Sequence, residues 1–335
     1  MGEREISVIV PMHNAEATIE RALRSILEQK GGKNFEVIVA DDQSSDQSPE
    51  LVKKFPVRLI PLPRNLGAGG ARNQGAKAAN GKILVFVDAD VCLEPDALLQ
   101  IENFFDRHPE FAGLAGNYTA LPADRNLCSV YHNFFTVYHH DLSREEIEWF
   151  WGALSAIRKE VFEKLSGFSE QYPGASAEDL ELGYRLSEAG YKIRYFPELR
   201  GTHARKFQLG DMLYNDYHKS VLGIKLYLKR KPRGIHPHGF SRPLNGINLM
   251  LAPLSLLALL AWPWAGVLPG LLLLLIFFGI NSRFYRQIRR KAGFQYFFPA
   301  FFLHWLSFNV IAGGVIAGLI GLLLGKGLES RSRWI

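Results

Sequence analysis

Two long stretches of this chain carry no charged side chain, and they constrain what the rest can be. Between Pro243 and Ile280, and again between Ala292 and Gly325, there is no Asp, Glu, Lys or Arg. A helix that crosses a bilayer needs roughly 20 apolar residues, and helices of a soluble core seldom run so far uncharged. The first stretch is long enough for a tight hairpin of two short helices turning at Trp262, Pro263 and Trp264, aromatics that suit a membrane interface. Lys229, Arg230, Lys231 and Arg233 precede it, and Arg283, Arg286, Arg289, Arg290 and Lys291 follow it. Basic clusters favour the cytoplasmic side, so both ends of the hairpin are expected there. The second stretch, in which His304 is the one histidine, is expected to cross once more, making about three crossings. Lys326, Arg331 and Arg333 would also favour the cytoplasm, and a re-entrant break at Gly313 and Gly314 would return them to it.

The charges that remain sit almost wholly upstream. Glu329 is the only acid after Arg242. The net charge of +6 is too mild to argue for a nucleic-acid partner. Two cysteines, Cys92 and Cys128, exclude a disulfide framework and a cysteine-rich zinc module. Met1–Glu5 is charged and Ile6–Val10 is too short for the apolar core of a signal peptide, so the polar part is expected in the cytoplasm. The expected organisation is a polar domain over 1–205, a connector over 206–242 and membrane helices over 243–335. The connector mixes Phe207, Tyr214, Tyr217 and Tyr227 with bases, as a helix lying on a membrane surface would, and a solvated structural helix has the same composition.

The polar domain reads as α/β. Ile6–Val10 is a β-branched run ending at Pro11, and Asn14 is placed to cap a following helix. Phe35–Ala40 ends in the polar cluster Asp41–Asp46; Val57–Pro61 is a weaker strand, Ala71–Ala79 a helix, and Lys82–Val87 a strand ending at Asp88-Ala89-Asp90. Strands and helices in alternation predict a doubly wound, mostly parallel sheet, whose ligands sit at the carboxyl ends of the strands. Asp42, Asp88 and Asp90 fall there.

Two carboxylates one residue apart can hold Mg²⁺ or Mn²⁺ through oxygen, and they can equally shape a turn. The run Asn65–Gly75 joins glycines to Arg72 near a helix start, a combination that suits phosphate oxygens; it contains no Walker P-loop. Glu178 and Asp179 open a further helix, where acids complement the dipole or, beside a hydroxyl, serve as a general base. Trp149 and Trp151 can stack on a sugar or lipid head group or simply pack.

Taken in order, Val8–Asn14, Asp41-Asp42-x-Ser44-x-Asp46, Gly70-Ala-Arg-Asn-x-Gly75, Asp88-Ala-Asp90, Gly152–Phe168 and Glu178-Asp179 resemble the motifs of family 2 inverting glycosyltransferases, over about residues 5 to 205. The resemblance implies a GT-A-type fold and transfer of a sugar from a nucleotide-sugar, usually uridine-linked, by single displacement. It implies Asp179 as catalytic base with Glu178 beside it, and Asp42 at the base or ribose. Pro11, Asn14, Gly70, Arg72, Asn73, Asp88 and Ala89 would line the nucleotide-sugar site. Asp88 and Asp90 would hold the divalent metal, with His203 a candidate third ligand. No Gln-x-x-Arg-Trp follows Asp179, so a long polymer product is not expected.

Membrane helices joined to such a domain suggest an acceptor in the bilayer: a polyprenyl-diphosphate-linked sugar, a glycolipid, or a polyprenyl phosphate itself. Three rivals fare worse. A nucleotidyltransferase should have a glycine-rich loop where Pro11–Asn14 stands. A non-catalytic nucleotide-sugar-binding module has no need of both Asp90 and Asp179. A transporter usually places ionisable residues within its helices.

Overall fold

The structure, a computed structural model, describes residues 5–30, 34–172, 177–230, 243–261 and 266–325. The expected Trp262–Trp264 turn and the bases Lys231, Arg233, Lys326, Arg331 and Arg333 lie outside the described residues. The strands are β1 (Ile6–Met12), β2 (Phe35–Asp41), β3 (Arg58–Pro61), β4 (Ile83–Val87), β5 (Val91–Leu93), β6 (Phe111–Tyr118), β7 (Glu146–Ile147), β8 (Leu154–Arg158) and β9 (Lys192–His203). The helices in the same part of the chain are α1 (Ile19–Leu27), α2 (Ser48–Val52), α3 (Gly67–Ala78), α4 (Ala97–Arg107), α5 (Leu127–Asp141), α6 (Lys159–Lys164) and α7 (Glu178–Glu188). After them come α8 (Leu209–Arg230), α9 (Pro243–Ala261), α10 (Val267–Ile280), α11 (Ser282–Lys291) and α12 (Phe297–Leu323).

Two compact units result. The first contains residues up to Thr119 and Ser143–Arg205; the second contains Ala120–Leu142 and the chain from Lys206. The segment Asn117–Trp151 carries α5, and residues 120–142 group with the second unit.

In the first unit a single sheet runs β3-β2-β1-β4-β8-β6-β9-β5, with β7 on β9. The β3-β2-β1-β4 half is parallel throughout and the other half is mixed. Every residue of β1 and β4 is buried, as β-branched central strands covered on both faces should be. Order reverses between β1 and β4, so their carboxyl ends frame the crevice where doubly wound sheets take ligands.

Two local expectations change. The helix expected from Ala71 begins at Gly67, so the glycine run is its first turn and not a loop. Asn14 does not cap α1, whose cap position is Thr18; it adopts φ 50° and its side-chain oxygen accepts from the Ser45 N–H at 2.8 Å.

Among the described residues of the second unit one helical segment, Phe294–Leu323, is long and apolar enough to cross a membrane. The apolar run of α9 is shorter, and α10 with α11 form a pair bent by 60°. The re-entrant break expected at Gly313 and Gly314 is absent: α12 runs through both. Gly314 and Gly318 are there for a neighbour. A Cβ on Gly314 would lie 2.6 Å from the Tyr217 carbonyl oxygen, and one on Gly318 would lie 2.5 Å from the Ile224 side chain, both in α8. Small residues four apart let two helix backbones approach this closely. α8 is thereby packed along α12. Gly314→Val is expected to destabilise the detergent-solubilised protein by about 1–3 kcal/mol through overpacking. Gly313→Ala, with nothing within 4 Å of its Cβ, should not lower the melting temperature, which thermal unfolding of both variants would check.

Candidate functional site

The side chains named by the motifs gather at the carboxyl edge of β1, β2 and β4, because each motif directly follows a strand or opens the helix facing it. Asp42, one residue beyond β2, is 3 % exposed. Its Oδ1 accepts from the Leu66 N–H at 2.6 Å and its Oδ2 from the Gly67 N–H at 2.9 Å. Asp42 therefore caps α3 from another strand, and burial raises its carboxyl pKa against the pull of those two amides. The Leu66 and Gly67 N–H groups at this helix start are thus occupied by the Asp42 carboxylate.

Arg72 lies at the centre. Its guanidinium is 2 % exposed, with Nη2 2.7 Å from Asp88 Oδ1 and Nη1 2.9 Å from Glu178 Oε1. It lies over the Phe168 ring at 5.4 Å. Burial opposes its charge, but Asp88 and Glu178 outweigh that and raise its pKa further. Above it Gly152 leaves space for nothing larger: a Cβ there would sit 2.7 Å from the Arg72 Cζ. The Gly152 N–H donates to Asp179 Oδ2 at 3.0 Å, and the Leu180 N–H donates to Asp179 Oδ1 at 2.7 Å. One backbone position thus makes room for the arginine and orients the half-buried Asp179. Glu178, at 1 % exposure, is a partner of Arg72 and not an open acid.

Asn73 serves the scaffold. Its Oδ1 accepts from the Phe168 N–H at 2.9 Å and its Nδ2 donates to the Phe168 carbonyl at 2.9 Å. Gly70 packs against Leu66, and Pro11 and Ala89 are buried in β1 and beside Asp88 respectively. Trp149 is 2 % exposed in the core near Tyr195, so it cannot stack on a ligand.

Asp88 and Asp90 keep side chains 29 % and 23 % exposed. Burial and the adjacent Asp90 push Asp88 up in pKa against Arg72. Burial acts on Asp90 too, but His203 and Arg205 more than offset it and draw its carboxyl down. His203 Nε2 stands 3.5 Å from Asp90 Oδ2, long for a hydrogen bond. That ring stacks on Tyr118 at 4.6 Å and 17°, and Trp151 meets Tyr118 edge-on at 4.6 Å. Among the described residues no three His, Cys, Asp or Glu side chains form a ready-made metal cage. Asp88 Oδ2 has no hydrogen-bond partner among them, so two partly open carboxylates suit a hard divalent cation that completes its shell with waters and ligand oxygens.

Sequence reasoning missed Gly152, Tyr118 and the cap role of Asp42. Gly152 begins a motif segment, and that was its one visible signal; Tyr118 had none.

Residues 7–166 match the family model described as "Glycosyl transferase family 2", and residues 132–208 match "N-terminal domain of galactosyltransferase". The probable glycosyltransferase YdaM of Bacillus subtilis (strain 168) is 29% identical over 209 residues, covering 58% of this chain and 49% of that protein. The chain thus matches about half the length of this curated relative. The fold is similar to that of the mannosyltransferase PcManGT from Pyrobaculum calidifontis, solved with GDP-Man and Mn²⁺: TM-score 0.58, 19% identity, 96% of this chain and 88% of that one. It is also similar to residues 1–349 of S. aureus TarS, solved with UDP: TM-score 0.51, 18% identity, 96% and 92% covered.

Proposed function

Because residues 7–166 belong to glycosyl transferase family 2, we propose that this chain transfers a sugar from a nucleotide-sugar to a membrane-lipid acceptor, with inversion at the anomeric carbon. The observation that carries the reading is the joining of the Asp88 carboxylate and the Glu178-Asp179 helix start through one buried arginine, at the switch point of the sheet. The PcManGT and TarS complexes, with GDP-Man and UDP, support a nucleotide-sugar donor.

In this mechanism Asp179 takes the proton of the acceptor hydroxyl as its oxygen bonds to the anomeric carbon. The bond from that carbon to the diphosphate oxygen breaks, and the nucleoside diphosphate leaves with the electron pair. The Gly152 and Leu180 N–H groups hold the two oxygens of Asp179 in one orientation, so little rearrangement precedes proton transfer. Asp88 and Asp90 would hold Mg²⁺ or Mn²⁺, with His203 beside them, and the ion would stabilise charge gathering on the leaving diphosphate. Arg72 keeps Asp88 and the Asp179 helix in register without touching substrate.

The second unit supports a bilayer acceptor. Leu260, Leu268, Leu275, Phe302, Ile316 and Leu323 are 73 %, 76 %, 67 %, 61 %, 56 % and 87 % exposed, an apolar surface that water disfavours and lipid accepts. In this reading α12 crosses the membrane, α9 and α10 lie embedded beside it, and the sheet unit works on the cytoplasmic side. The test is release of nucleoside diphosphate by the detergent-solubilised full chain, using a panel of nucleotide-sugars with Mn²⁺ and membrane lipid extract. Lipid-dependent release that a chelator abolishes is expected. Nucleotide-sugar binding without release from any donor would favour a non-catalytic binding module.

A further inference from the structure

The cationic helix α11 answers to nothing in the sheet unit's chemistry. Arg283, Arg286, Arg289, Arg290 and Lys291 are all exposed, and among the described residues none pairs with a carboxylate. On the opposite face Phe284, Tyr285 and Ile288 are buried within the second unit's core. The apolar α10 leads into this helix through a 60° bend. A short 3-10 turn at Phe294–Tyr296 then leads into the apolar α12. Phe294 and Phe298, at 62 % and 54 % exposure, stand at that second junction.

A ten-residue helix with five exposed cations cannot occupy hydrocarbon at an acceptable cost. Its neighbours on both sides are apolar helices with exposed leucine and phenylalanine side chains. The position that satisfies both is the plane where acyl chains end: guanidinium groups among phosphates, and the two phenylalanines dipping below them. After Arg242 the sequence has Glu329 as its only acid; the second unit's other acids, Asp124, Asp141, Asp211 and Asp216, precede it, and among the described residues none pairs with α11.

We propose that α11 is a binding surface for the phosphate groups of anionic phospholipids, selecting them over zwitterionic ones. The proposal rests on the membrane reading above and deepens it by naming the lipid class. Its cations recruit anionic headgroups to the foot of α10 and α12, fixing the depth of the helical unit by charge as well as by apolar area.

The test uses the full chain in neutral detergent, titrated with fluorescent phosphatidylglycerol or phosphatidylcholine and read by anisotropy at low and high salt. Phosphatidylglycerol should bind at least about tenfold more tightly, and salt should weaken it. At roughly 1 kcal/mol per basic residue near a charged surface, the triple variant Arg286→Gln, Arg289→Gln, Arg290→Gln should bind about a hundredfold more weakly. The matching triple lysine variant should retain most of the affinity, which separates lost charge from lost fold. Equal affinity for the two lipids, or a glutamine variant that binds as the parent does, overturns the proposal. Displacement of the lipid by millimolar inorganic phosphate would also overturn it, since the site would then take a free anion. A chain that stays monodisperse without detergent overturns the membrane reading itself, a result distinguishable from a missing lipid preference.

Discussion

Asp179→Asn is expected to lower kcat by about a hundredfold to ten-thousandfold, the usual contribution of a positioned general base. Donor affinity should change little. The amide oxygen can still accept from one of the two backbone N–H groups that hold the carboxylate, so the helix start keeps its place. The loss should fall on kcat more than on KM for the nucleotide-sugar, because the proton is taken in the transition state and not on donor binding. Steady-state kinetics with the donor varied at fixed lipid acceptor would check this. If the variant keeps its activity, the acceptor is already ionised, as a polyprenyl phosphate is, and Asp179 has no proton to take.

Arg72→Met should be the most destabilising single substitution in the sheet unit. Removing one partner of a buried ion pair costs about 3–5 kcal/mol, because the remaining charge stays buried without its counter-ion. Glu178 is 1 % exposed, and Arg72 is the cation that meets it there. The loss reaches further, since the same guanidinium holds Asp88. Adding Glu178→Gln to Arg72→Met should restore part of the melting temperature by removing the stranded charge. It should not restore activity if Arg72 keeps Asp88 in register with the Asp179 helix. Thermal unfolding of the two variants, run beside nucleoside diphosphate release, separates these roles. Full recovery of activity in the double variant would reduce Arg72 to a structural cation.

Some of this site was legible in the sequence because local patterns report local backbone. β-branched runs gave β1, β2 and β4, and the acids that follow the last two placed Asp42, Asp88 and Asp90 at one end of the sheet, since parallel strands point the same way. What each side chain touches depends on contacts distant in sequence, and there the reading fell short. Arg72 and Glu178 meet across 106 positions, so an arginine that looked suited to a phosphate is instead enclosed by protein carboxylates. Asp42 caps a helix 25 residues later, a bond with no sequence period. Gly313 and Gly314 carry the same composition as a breaker, and only the neighbouring α8 shows that Gly314 is a contact. Likewise the apolar content of α5 did not show which unit would bury it.

That last helix limits how the molecule can be divided. Val130, Tyr131, Phe134 and Tyr138 of α5 are buried with Phe284, Tyr285 and Leu303 of α11 and α12, yet α5 precedes β8 in the chain. The polypeptide enters the helical unit, returns to finish its sheet, and leaves again. The two units are therefore interleaved in sequence and are not exchangeable cassettes. Ending the chain at Arg205 would strand one greasy helix in water, and a soluble sheet unit would require excising residues 120–142 and rejoining the cut ends. A single cut in the chain therefore cannot separate the sheet unit from the helical unit.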